Sequence, residues 1–222
     1  MKEIKLIDIK QDILKENRES AEEIRKRLRK AKTFMINIMA SPGAGKTSLI
    51  SRTIAKLGPK RRIAVLEGDI ESSIDSRRIS QQGVEAIQIR TGGFCHLDAW
   101  MIDKALQELD LSMLDIILIE NVGNLVCPAE ADTGAFKNVV ILSVPEGDDK
   151  PFKYPLAFKV SDITLINKID YPDFAEFDLK SIRERIHLLN PSALVLPISC
   201  RDGSGIDEWT AWLDGAITAF LQ

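Results

Sequence analysis

Residues 34–50, FMINIMASPGAGKTSLI, restrict the possible folds more than any other stretch of the chain. An apolar run from Phe34 to Met39 stops at Pro42-Gly43-Ala44-Gly45, and Lys46-Thr47 then opens a helix-forming segment. A buried strand is thus delivered to a tight turn whose glycines let successive N–H groups converge on anionic oxygens, with the positive end of a helix aimed at the same point. The spacing from Ala40 to Gly45-Lys46-Thr47 is that of a phosphate-binding loop, with alanine where the strict pattern has its first glycine. Gly43, Ala44, Gly45, Lys46, Thr47 and Ser48 are the expected nucleotide-binding run. Lys46 is the charge for the β- and γ-phosphates and a catalytic candidate, and Thr47 offers its hydroxyl to Mg²⁺. A Gly-rich turn with a chance Gly-Lys-Thr is the plainer alternative, and the strand and helix around it speak against it.

Downstream, strands expected at 62–67, 85–90, 115–120, 138–144, 163–167 and 194–198 alternate with helices at 72–82, from Asp98, at 178–189 and at 205–221. Together with the first strand this predicts an α/β protein with a mainly parallel seven-stranded sheet flanked by helices, a P-loop NTPase architecture. The 222 residues and 45% hydrophobic content suit one such domain, over 34–222. Residues 1–33 are expected to hold an amphipathic helix over 10–32, because Leu14, Ala21, Ile24, Leu28 and Ala31 recur at threes and fours; it is expected to pack on this domain, with a second copy of the chain as the other possible cover for its stripe. The basic run Arg25–Lys32 at the end of that helix is expected to be a solvated face. Pro145 to Lys153 is the most loop-like stretch.

A net charge of −3 gives no general attraction to nucleic acid or membranes. No apolar stretch reaches membrane-spanning length, and the charged first thirty residues have no signal-peptide core. With only three cysteines, a disulfide framework is not expected. The expected location is cytoplasmic, with no nucleic-acid or membrane partner.

Asn167-Lys168-Ile169-Asp170 follows the strand at 163–167. A carboxylate there accepts from both N1–H and the exocyclic amine of guanine, a donor pair that adenine lacks. Asn167 is expected at the base edge or bracing the phosphate loop, with the stem of Lys168 over the base. Ser199, Cys200 and Arg201 sit where a loop would close over guanine. Asp69 and Glu120, at strand ends, are the carboxylates assigned to Mg²⁺, with Asp75 and Glu120 as catalytic candidates that orient water or the γ-phosphate. Asn124 stands where many GTPases keep a water-positioning glutamine, so the expected hydrolysis is slow.

Cys95, His96 and Cys127 lie at strand ends on the same edge of the sheet. Thiolate plus imidazole suits Ni²⁺ or Zn²⁺. The alternative is that the cysteines are small buried residues and His96 a helix cap. Three ligands per chain fall short of a closed tetrahedral site, which two facing chains could complete.

The strings ASPGAGKTSLI, EGDIESSID, TGGFCHLDA, ENVGNLVCPAE and NKID, with the segment from Pro145 to Pro155, together resemble the HypB family, GTPases that assist nickel insertion into [NiFe]-hydrogenase. The likeness covers nearly all of the chain after the first helix. It implies a SIMIBI-type GTPase turning GTP into GDP, a GTP-promoted homodimer, and a metal site near its interface formed by Cys95, His96 and Cys127. It also implies partnership with a HypA-type nickel chaperone and the hydrogenase large subunit, and casts Lys153 as a lysine reaching toward nucleotide across the dimer. Some family members carry an N-terminal Cys-x-x-Cys-Gly-Cys or His-rich tract. This chain shows neither, so no nickel binding of that kind is expected from it. Trp100 stands where some relatives offer another histidine, which favours a single shared ion. Two further readings stay open: a GTPase serving a urease-type or mutase-type enzyme, and a non-catalytic nucleotide-dependent regulator.

Overall fold

The computed structural model describes residues 9–69, 79–171 and 177–222. Helix α1 (Ile9–Ala31) leads into β1 (Phe34–Ala40), the loop, and α2 (Lys46–Leu57). Then come β2 (Ile63–Asp69), β3 (Glu85–Arg90), α3 (Ala99–Leu106), β4 (Ile116–Glu120), the short α4 (Cys127–Glu130) and β5 (Lys137–Ser143). The short helices α5 (Lys150–Lys153) and α6 (Pro155–Val160), β6 (Ile163–Asn167), α7 (Leu179–Leu189), β7 (Leu194–Pro197) and α8 (Ile206–Leu221) follow, and single 3-10 turns lie at Leu111–Met113 and Val144–Glu146. Most of the helix expected at 72–82 falls outside the described residues.

The seven strands form one sheet in the order β3-β2-β4-β1-β5-β6-β7, and every pairing is parallel. β1 and β4 are buried at every position, as strands covered on both faces must be, which explains their apolar runs, interrupted in β1 only by Asn37 and closed in β4 by Glu120. One layer of the core packs β1 against α2 and α8. There Trp209 is fully buried and its indole N–H donates to the Thr53 hydroxyl at 2.9 Å. On the other face Ala21, Ile24 and Leu28 of α1 are buried with Leu97, Ala99 and Ile102.

The basic run of α1 is less solvated than expected. Arg25 pairs with Asp132 at 2.5 Å, Arg27 pairs with Asp103 of α3 at 2.9 Å, and the Arg29 guanidinium lies 5.4 Å from the Phe136 ring centre. Lys26 keeps to the solvent side, paired with Glu23. The segment expected as loop, 145–153, is more ordered than its composition suggests. Ser143 and Glu146 form a reciprocal capping box, and Pro151 sits in the first turn of α5, where its missing N–H costs nothing.

Candidate functional site: a phosphate loop, a base pocket and a thiol–imidazole cluster

The central strand β1 ends at the loop, between the carboxyl ends of β4 and β5, where ligands of open parallel sheets lie. Gly43 and Gly45 both take positive φ, +75° and +110°, which a side chain would resist. At Gly45 a Cβ would also stand 2.3 Å from the amide nitrogen of Asn167. Gly45 starts α2, and no side chain among the described residues caps that helix, so its first N–H groups face the loop. Asn167 donates to the Ala44 carbonyl at 2.8 Å and accepts from the Cys200 N–H at 3.2 Å. Of its two expected roles, bracing the loop is the one seen. Lys168, in left-handed backbone at φ 65°, donates its ammonium to the Gly43 carbonyl at 2.9 Å.

A cavity of about 300 Å³ opens beside this loop, lined among others by Gly43, Ser48, Lys168, Asp170, Tyr171 and Arg201. The Ser199 hydroxyl donates to Asp170 at 2.7 Å, and the Arg201 guanidinium stands 3.7 Å from the other carboxylate oxygen. Arg52 of α2 fixes this loop from below, donating to the carbonyls of Cys200 at 2.9 Å and Arg201 at 2.7 Å. Burial pushes the Cys200 thiol up to about 11, so it stays protonated and acts as a small loop residue. A larger cleft of about 720 Å³ lies at the amino ends of β2 and β3, near Gly58 and Glu85, far from this chemistry.

Thr47 donates to the Glu120 carboxylate at 2.8 Å. Glu67, on β2, lies in register with Glu120 on β4, and both are buried. Oxygen donors of this kind suit Mg²⁺. Asp69 closes β2, its side chain outside the described residues, and Asp75 lies outside them altogether. Lys153 is paired with Asp149 of its own chain, one turn away, which raises the pKa of the lysine.

The donor atoms of Cys95, His96 and Cys127 all lie within 4.8 Å of one another, and the Cys95 sulfur is 3.8 Å from Nδ1 of His96. A hydrogen bond with the Cys127 thiol is the main cause that pushes the Cys95 pKa up. Cys95 is exposed, and the cap of α3 is Asp98, which accepts from the Met101 N–H at 2.8 Å. The alternative of buried cysteines and a capping His96 does not match this geometry.

Sequence reasoning missed the polar chain that joins these regions. Asn121, fully buried, accepts from the Leu97 N–H at 3.1 Å and donates to Asn37 at 2.9 Å, while Asn37 donates to Asn138 at 3.1 Å. Asn124 donates to the Cys95 carbonyl at 3.4 Å, and its backbone bridges to Ala40. A polar residue inside FMINIMA was the available signal, since a buried amide must find partners.

An all-parallel sheet with a glycine loop between β1 and α2 defines a P-loop nucleotide-binding protein. Residues 34–197 match the family described as CobW/HypB/UreG, nucleotide-binding domain. The hydrogenase maturation factor HypB of Azotobacter vinelandii is 46% identical over 210 residues, covering 95% of this chain and 69% of that protein. Its Escherichia coli K12 counterpart is 40% identical over 214 residues, 96% of this chain and 74% of that one. The crystal structure of HypB from Helicobacter pylori in complex with nickel superposes with a TM-score of 0.87 at 36% identity, covering 93% of this chain and 97% of that one. HypB from Archaeoglobus fulgidus superposes with a TM-score of 0.84 at 40% identity, covering 91% and 98%. The chain belongs to the HypB hydrogenase maturation factors of the CobW/HypB/UreG family.

Proposed function

We propose that this protein is a slow GTPase that carries nickel toward a [NiFe]-hydrogenase, with hydrolysis timing the transfer. Asp170, held by Ser199, takes guanine; Gly43 to Ser48 take the phosphates; Lys46 supplies charge to the β- and γ-phosphates. Thr47, Glu120 and Asp69 are the residues that would hold Mg²⁺, which neutralises phosphate charge when bound. Asp75 stays a candidate for orienting the attacking water. Asn124, at the position of the usual glutamine, has its side-chain amide engaged with the Cys95 carbonyl and the Val126 N–H, which supports a low intrinsic rate.

The nickel ion is cargo, taken by Cys95, His96 and Cys127, with Zn²⁺ as a chemical stand-in. Its donor set is incomplete in one chain, which supports a homodimer in which two copies share the ion. A HypA-type chaperone and the hydrogenase large subunit are the proposed partners, and Lys153 the residue that exchanges Asp149 for a partner chain's nucleotide.

One observation carries the reading: the eight residues from Glu120 to Cys127 hold both a carboxylate bonded to the phosphate-loop threonine and a thiol of the metal cluster. Asn121 and Asn124, inside that stretch, are bonded to the loop bearing Cys95 and His96. A change at the γ-phosphate is therefore felt at the cluster. A Ni²⁺ titration against a coloured chelator, with Mg–GDP and with Mg and a non-hydrolysable GTP analogue, tests this. The expected result is a nucleotide-dependent affinity tending to one ion per two chains in the GTP-like state. Identical binding in both states would leave the cluster uncoupled.

A further inference from the structure

The two segments bearing the cluster are far apart in sequence, yet one side chain of α1 joins them. The Asn17 carbonyl oxygen accepts from the Ala99 N–H at 2.8 Å, just beyond His96. Its amide nitrogen donates to the Asp132 carbonyl at 2.8 Å, just beyond Cys127 and α4. Neither bond is local to α1, and a single hydrogen bond to either segment would suffice merely to dock the helix. The surroundings stiffen the link. Arg25, two turns on, pairs with the Asp132 carboxylate, and Ala21, Ile24 and Leu28 are buried with Leu97 and Ala99.

We propose that Asn17 is a positioning residue for the Cys95–His96–Cys127 cluster, and that α1 is a brace setting the distance between its two halves. This rests on the metal-binding reading above. Three donors from two segments make a good chelate only if the segments are held at the right separation before the ion arrives; otherwise binding must order them. Groups that orient metal ligands from outside the coordination sphere typically change affinity by about 10–100-fold when removed. The side-chain bonds of Asn17 go to Ala99 and Asp132 and not to the phosphate loop or Glu120, whereas Asn121, at the end of β4, is bonded both to Leu97 and to Asn37 of β1. The brace therefore changes affinity in both nucleotide states alike, leaving their ratio unaltered.

The test is a Ni²⁺ titration of the full chain in both nucleotide states, with Co²⁺ thiolate absorption as a second readout. It compares wild type, Asn17→Ala, Asn17→Asp, Arg27→Ala and, as the control for the cluster itself, Cys95→Ala. Asn17→Ala is expected to bind Ni²⁺ about 10-fold or more weakly in both states and to alter the Co²⁺ spectrum, with GDP affinity unchanged. Asn17→Asp keeps the acceptor for Ala99 but turns an anionic oxygen toward the Asp132 carbonyl, so it should bind no better than Asn17→Ala. Arg27→Ala breaks the pair with Asp103, one turn further along α3, and leaves both side-chain bonds of Asn17 in place, so it should bind as wild type. Wild-type affinity in Asn17→Ala, or an equal loss in Arg27→Ala, overturns the brace. If wild type binds Ni²⁺ no better than Cys95→Ala, the cluster reading falls and the brace with it. If the Asn17 effect stands but the nucleotide states do not differ, only the coupling is lost.

Discussion

Asp170 is held in one position by its neighbours. Ser199 holds one of its oxygens at 2.7 Å while itself accepting from the N–H groups of Arg201 and Asp202, so the acid is fixed before any base arrives. In Asp170→Asn one acceptor becomes a donor facing the guanine N–H groups. Competition binding should show discrimination of GTP over ATP falling by about 100-fold or more, and a variant with undiminished selectivity would remove Asp170 from this role. The place of such residues beside the loop was legible because their pattern is written locally, in Gly-Lys-Thr and Asn-Lys-Ile-Asp. Asn37, Asn121 and Asn17 were not, because their partners lie tens of residues away and an asparagine in isolation names none of them. Asn167 was half legible: its position was clear, but only packing against Ala44 separates bracing the loop from touching the base.

At the scale of the element, α1 depends on a close approach at Gly134. That residue has φ +79°, and a Cβ there would stand 2.8 Å from Cγ2 of Ile24, a core side chain with no free space to yield. Gly134→Ala should destabilise the protein by about 2 kcal/mol, read as a lower urea midpoint, and an unchanged midpoint would mean that α1 is not docked there. The spacing of Leu14, Ala21, Ile24 and Leu28 announced an apolar stripe, but not its cover, which is set by α3 and the loop before it. The same limit explains the basic run. Charge alone suggested solvent, whereas Arg25 and Arg27 find carboxylates on other segments. Strand positions were legible nearly to the residue, since buried parallel strands are short apolar runs bounded by turns.

For the whole molecule, alternation of strand and helix was enough to imply the parallel sheet, and the crossover order followed only from the structure. No described helix is long and apolar enough to cross a membrane. Phe94, Trp100 and Val126, exposed at 61%, 64% and 49%, flank the cluster residues in sequence. Large apolar side chains beside three donor atoms, one short of a tetrahedral set, suit a second copy of the chain. Sedimentation velocity should show the mass doubling with Mg and a GTP analogue but not with GDP. Phe94→Asp should stay monomeric while binding guanine nucleotides normally, and equal masses in both nucleotide states would argue against the homodimer. The bridge from Asn124 to Ala40, with Gly123 pressed on Pro42, pins the middle of the Glu120–Cys127 stretch to the phosphate loop. Its length is thereby fixed at both ends: one inserted residue would swing Cys127 away from Cys95 or lift Glu120 from Thr47. A descendant of this chain can exchange side chains within the stretch and keep its two ends in place, but it cannot lengthen the stretch and do the same.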